Sequence, residues 1–109
     1  MKQFKIPVEQ IKRLISPVGA ATATDMIMVD GKDVAYMYRD MPINEHDTGW
    51  RFFAGGESPE YLSNNSNSGF YDINTIANYD PSIIQHLDEL PGTAWERITG
   101  TNRFQKVEK

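Results

Sequence analysis

The chain has 109 residues, no cysteine, and 39% hydrophobic and 24% charged residues, with five Phe, five Tyr and two Trp. That length fits one domain with one core, and the composition excludes a disordered or collagen-like chain. The missing cysteines exclude disulfides, thiolate metal sites and cysteine nucleophiles.

The net charge of −4 is unevenly spread. Residues 1–20 carry +3 and residues 97–109 carry +3, so the stretch between them carries −10. It holds Asp25, Asp30, Asp33, Asp40, Glu45, Asp47, Glu57, Glu60, Asp72, Asp80, Asp88, Glu89 and Glu96, against Lys32, Arg39 and Arg51. An acidic body is a poor nucleic-acid binder and attracts a basic protein instead. Scattered charges from Lys2 to Arg13 do not fit a signal peptide, and no uncharged run approaches the ~20 residues that span a bilayer, so no membrane partner and a cytoplasmic location are expected.

In chain order, Val8, Ile11, Leu14 and Ile15 fall on one helical face, which predicts a short amphipathic helix over residues 7–15, ended by Pro17 and Gly19. The small residues 20–24 suit a buried strand. Asp30-Gly31 lies between the apolar runs 26–29 and 34–38, the pattern of a two-residue hairpin turn, with Val34 to Arg39 as a central strand. Residues 40–49 are predicted to be an exposed loop. Trp50 to Ala54 forms a third strand, in which alternation sends Trp50 and Phe52 to one face and Arg51 and Phe53 to the other. Ser58-Pro59 starts a helical turn, and Ser63 to Gly69 reads as a mobile surface loop. Phe70-Tyr71 forms a short strand, Asp72 caps a brief helix to Asn78, and Asp80-Pro81 starts another that ends at Pro91-Gly92. Residues 93–98 return as a strand, and Phe104 anchors a basic tail. These elements predict a single small α+β domain with an antiparallel or mixed β-sheet and two to three short helices.

Candidate chemistry is sparse. Glu45-His46-Asp47 places three potential metal ligands in a row, but consecutive residues seldom converge on one ion, so neither a metal nor a cofactor is expected. No G-x-S-x-G occurs, and Gly55-Gly56-Glu57 lacks the lysine of a phosphate loop. An exposed Trp50 would be a binding anchor, whereas a buried one belongs to the core. Asn74, Asn78, Tyr79 and Asp80 either satisfy backbone groups between two short helices or form a hydrogen-bonding ledge beside Glu57.

Three blocks, Asp33 to Arg39, Asp47 to Glu57 and Gly69 to Pro81, resemble in order and spacing the bacterial immunity protein 33 family, a domain of unknown function, over about residues 18–98. The helix at 7–15 and the tail at 99–109 lie outside that resemblance. It implies a small cytoplasmic α+β protein that acts as an antidote, binding a basic toxin protein without catalysis. Asp47, Trp50, Glu57, Asn74, Asn78, Tyr79 and Asp80 are the expected binding residues. The alternatives are a small-molecule-binding or hydrolytic domain whose pocket is lined by Glu57, Asp72 or Asp80, and a homo-oligomer.

Overall fold

A computed structural model describes residues 2–108. Six strands form one mixed sheet in the order β4-β1-β3-β2-β5-β6. They are β1 (Ala20–Thr24), β2 (Tyr36–Arg39), β3 (Asp47–Phe53), β4 (Ser68–Asp72), β5 (Ala94–Arg97) and β6 (Phe104–Lys106). The pair β1 and β3 is parallel, and the other neighbours are antiparallel. Three short α-helices accompany them among the described residues: α1 (Asp25–Met28), α2 (Pro59–Ser63) and α3 (Ile73–Tyr79). The expected α+β class and mixed sheet are therefore observed.

Strand alternation divides the sheet. One face carries Ala21, Ala23, Met37, Trp50 and Phe52, all buried, and packs with Ile27, Met28, Ile73, Ile76, Ala77 and Ile83 from the helices and the 3-10 turn at Pro81–His86. The small side chains of β1 let the helices approach closely. The opposite face carries Tyr36, Tyr38, Arg51 and Phe53, all only half-buried. The three starts expected from the sequence have their caps, whereas α1 begins after Thr24 without a side-chain cap. Ser58 accepts from the Tyr61 N–H, Asp72 from Asn74 and Asp80 from Ser82.

Several expectations are overturned or trimmed; the exposed loop expected at 40–49 stops at residue 46, because Asp47, Thr48 and Gly49 open β3 and are buried. Asp30-Gly31 is not a hairpin turn, because residues 25–28 form α1 rather than a strand. Gly31 instead ends that helix: its φ of +78° is left-handed, and its N–H donates to the Ile27 carbonyl at 3.0 Å. The sequence Asp-Gly serves both purposes.

The helix expected at 7–15 is also absent. Only Val8–Gln10 forms a 3-10 turn, Val8 is 83% exposed, and the segment lies otherwise extended along α3. A nine-residue helix is marginal in isolation, and here the backbone of residues 12–15 finds side-chain partners on α3 instead of its own carbonyls.

The loop expected at 63–69 is shorter than predicted, since β4 begins at Ser68. A 3-10 turn at Asn65–Asn67 precedes it, with Asn64 accepting from the Ser66 N–H and Asn67 donating to the Tyr61 carbonyl.

Candidate functional site

All seven expected binding residues make internal joints. Asp47 opens β3 with its side chain fully covered. Its carboxylate accepts a bidentate pair of bonds from Arg51, each 2.9 Å, together with the N–H groups of Ile43 at 3.0 Å and Gly49 at 2.9 Å. The Arg51 hydrogen bonds are the largest influence on its acidity, burial opposes them, and the net effect holds the carboxyl well below the ordinary aspartate range. This single side chain fixes both the course of the loop before β3 and the bend at Gly49.

Trp50 is fully buried. Its ring stacks on Phe52 with centroids 5.9 Å apart, Arg39 lies over it, and the indole N–H donates to the Leu87 carbonyl at 3.2 Å. It therefore offers no surface to a partner, and the exposed-anchor alternative does not apply.

Asp80 is buried between three elements. It ion-pairs with Arg97, accepts from the Val34 N–H at 2.9 Å, and caps the following 3-10 turn. Arg97 also donates to the carbonyls of Val34 and Thr101, so this joint ties β5 and the tail to the core side of the sheet.

The amide-rich stretch does satisfy backbone groups, but not where one helix passes into the next. Asn74 accepts from the N–H groups of Leu14 at 2.7 Å and Ile15 at 3.2 Å and donates to the Lys12 carbonyl at 2.8 Å. Asn78 exchanges two bonds of 2.9 Å with Lys12, and the Tyr79 hydroxyl accepts from the Ile6 N–H at 3.0 Å. These three side chains form a ladder that reads the main chain of the N-terminal segment. Asn74 and Asn78, four residues apart, share one side of α3, and Tyr79, one position on, reaches the earlier part of the segment at Ile6.

Glu57 is half-buried, as Asn78 and Tyr79 are. One oxygen accepts from the Thr24 hydroxyl at 2.6 Å and the Ala54 N–H at 2.7 Å, and the other from the Gly55 N–H at 2.8 Å. Burial would raise this carboxyl, but the hydrogen bonds from Thr24, Ala54 and Gly55 outweigh it and hold the group below its ordinary value. Glu57 locks the turn after β3, where Gly55 has a φ of +98°.

Glu57 also edges an open groove of about 460 Å³ on the uncovered face of the sheet, lined by Tyr36, Tyr38, Phe53, Gly55 and Leu62. Tyr38 stacks on Phe53 with centroids 5.7 Å apart, and Tyr36 tilts against both at 6.1 and 5.9 Å. Arg51, opposite Tyr38 in the ladder, is held by Asp47 beside it.

The expected acidic surface has a narrower basis than the charge count suggested. Asp47 and Asp80 are neutralised inside the fold, and Asp25 pairs with Lys2 at 2.8 Å. Asp30, Asp33, Asp40, Glu45, Glu60, Asp72, Asp88 and Glu96 are exposed, and Lys32 is the exposed base of the same stretch. Among the described residues no group of three His, Asp or Glu side chains is placed to hold a metal. Glu57 and Asp72 sit at opposite ends of β1, beside Thr24 and Ala20 respectively. The carboxylates named for a pocket thus do not converge.

The profile of the family described as Immunity protein Imm33 domain matches residues 21–108, most of the chain and including its basic tail. The chain belongs to that family. No curated protein and no solved structure matches it.

Proposed function

From that membership we propose that the protein is the antidote to a bacterial toxin, acting in the cytoplasm by stoichiometric binding rather than by catalysis. The family match over residues 21–108 carries this reading. Two structural features support it. Eight carboxylates of residues 21–96 are exposed and, among the described residues, no three His, Asp or Glu side chains are grouped to hold a metal, as suits complementarity to a basic protein. The groove beside Tyr36, Tyr38 and Phe53 contains one carboxylate, Glu57, whose two oxygens are both occupied by donors of the chain itself, so it is poorly placed for acid-base work. Among the described residues no helix is long and apolar enough to cross a membrane, which is compatible with a freely diffusing inhibitor.

The test is co-expression with each open reading frame flanking this gene whose expression alone arrests growth, followed by light scattering of the purified mixture. Rescue of growth and a one-to-one complex are expected. Failure of both rescue and complex formation would overturn the reading, and a homodimer without a toxin complex would replace it with a structural oligomer.

A further inference from the structure

The strand order brings several chain segments to one end of the sheet, three of them loops between its central strands or leading into them, with Asp72 of β4 and Lys106 of β6 at its two flanks. The parallel pairing of Ala20 with Asp47 puts residues 17–19 beside the loop at 40–46. The antiparallel pairings of Arg39 with Trp50 and of Tyr38 with Ala94 bring residues 88–93 to the same end. Hydrogen bonds join the segments directly. Ala20 N–H donates to the His46 carbonyl at 2.8 Å, Arg39 donates to the Glu89 carbonyl at 2.8 Å, and Gly92 N–H donates to the Arg39 carbonyl.

This end carries apolar side chains that the core does not use. Val18, Met41, Ile43 and Leu90 are 58, 69, 75 and 73% exposed. The three loops carry Asp40, Glu45, Asp88 and Glu89, and their single basic residue is His46. Arg39, just beneath, directs its guanidinium to the carbonyls of Thr48 and Glu89. Exposed apolar anchors among mostly acidic charges, with Lys106 at the β6 flank, match the anatomy of a protein-binding surface.

The loop at its centre is held in shape before any partner arrives. Asp47 binds the N–H of Ile43, Asn44 accepts from the N–H groups of His46 and Asp47, and Asp40 accepts from Met41. Preorganised loops lower the ordering cost of binding.

We infer that this end of the sheet, with Ile43 and Leu90 as anchors and Asp40, Glu45 and Asp88 around them, is the surface that docks the basic face of the toxin. The inference rests on the antidote reading and assigns its contact site. The charge selects the occupant: a second copy would bring the same carboxylates against themselves, and nucleic acid or an anionic bilayer would be repelled.

The probe is the growth-arresting protein identified by the co-expression test, purified, its affinity measured by calorimetry and its association rate by stopped flow for the full chain and for variants checked for folding by circular dichroism. Ile43→Ala with Leu90→Ala is expected to weaken binding at least tenfold. Glu45→Lys with Asp88→Lys is expected to slow association at least tenfold at low salt and to flatten its salt dependence. The same charge change at the other end of the sheet, Asp33→Lys with Glu60→Lys, serves as the control and is expected to stay within about threefold. Equal losses from rim and control would overturn the site while leaving the antidote reading intact, because net charge alone would then explain them. Tight binding unaffected by either rim pair would do the same. A wild-type chain that forms no complex with the toxin would overturn both.

Discussion

Replacing Asp47 by Asn tests whether the loop before β3 depends on one buried ion pair. The substitution keeps the side chain's size but removes its charge and turns one acceptor oxygen into a donor. In the native arrangement all four bonds to this carboxylate come from donors: two from Arg51 and one each from Ile43 and Gly49. Whichever way the amide is turned, its NH2 faces at least two of them. Removing one member of a buried pair costs about 3–5 kcal/mol, because the other is left uncompensated. Arg51 keeps its bond to the Trp50 carbonyl and is 13% exposed, which places the expected loss near the low end, about 3 kcal/mol. For a domain of this size that lowers Tm by roughly 12–20 °C. Thermal and urea denaturation followed by circular dichroism at pH 7 measure it. The pH dependence gives a second readout. The native carboxyl lies well below the ordinary value of about 3.9, so its stabilisation is complete above that value and is lost as pH falls toward the native one. Asp47→Asn should therefore flatten the acid limb of the stability curve. A loss under about 1 kcal/mol at pH 7, or an acid limb identical to that of the wild type, would refute the reasoning.

Three further outcomes follow from single contacts. Gly49→Ala should destabilise by at least about 2 kcal/mol in urea titrations, because Gly49 has a φ of +91° and an added Cβ would sit 2.0 Å from the Asp40 carbonyl oxygen. Asn74→Ala should cost about 1–3 kcal/mol and speed hydrogen exchange at the amides of Leu14 and Ile15 while leaving β3 protected, and unchanged exchange at those two amides would count against the ladder. Burial pushes His86 below its ordinary value, with Glu89 opposing, while its ring packs on Trp95 and Phe104. Its unfolded form binds a proton first as pH falls below about 6.5, so stability declines there, and His86→Phe should remove that decline in denaturation series between pH 7 and 5.

The elements with local punctuation were legible in the sequence, because their signals lie within four residues of one another. Ser58, Asp72 and Asp80 each cap the helix or turn that follows, and the alternation from Trp50 to Phe53 correctly separates core from open face. Two features were not legible for a common reason: the decisive contacts are remote. Asp30-Gly31 suits a hairpin and a helix end equally, and the choice was made by burial of Ile27 and Met28 against the sheet. The N-terminal segment has a helical apolar pattern, yet its partners Asn74 and Asn78 lie about sixty residues away. The candidate site suffered in the same way. Asp80 read as a surface acid because Arg97 is remote and meets it only through the return of β5, whereas Arg51 is near Asp47 in sequence but an unbent strand would hold the two about 13 Å apart, a gap that the bend at Gly49 closes. The exposed Met41, Ile43 and Leu90 stand singly in polar loops, where no periodicity marks them, and only the strand order gathers them.

The buried joints constrain where variation in binding can reside. Asp47, Trp50, Asn74 and Asp80 each hold two or more parts of the chain together, so changing any of them alters stability before it alters a surface. Ile43, Glu45 and Leu90 are highly exposed side chains on a loop framework whose geometry is set by those joints and by Asn44. Side chains of that kind can be exchanged with changes of stability within about 0.5 kcal/mol, while the backbone that presents them stays fixed. An inhibitor that must match one toxin and reject others needs this separation of scaffold from contact surface, since specificity is a difference of affinities tuned at the contacts. The double variants at the rim and the single variants at the joints should accordingly separate cleanly: the first changing affinity at constant Tm, the second changing Tm, with affinity following only as the folded fraction falls.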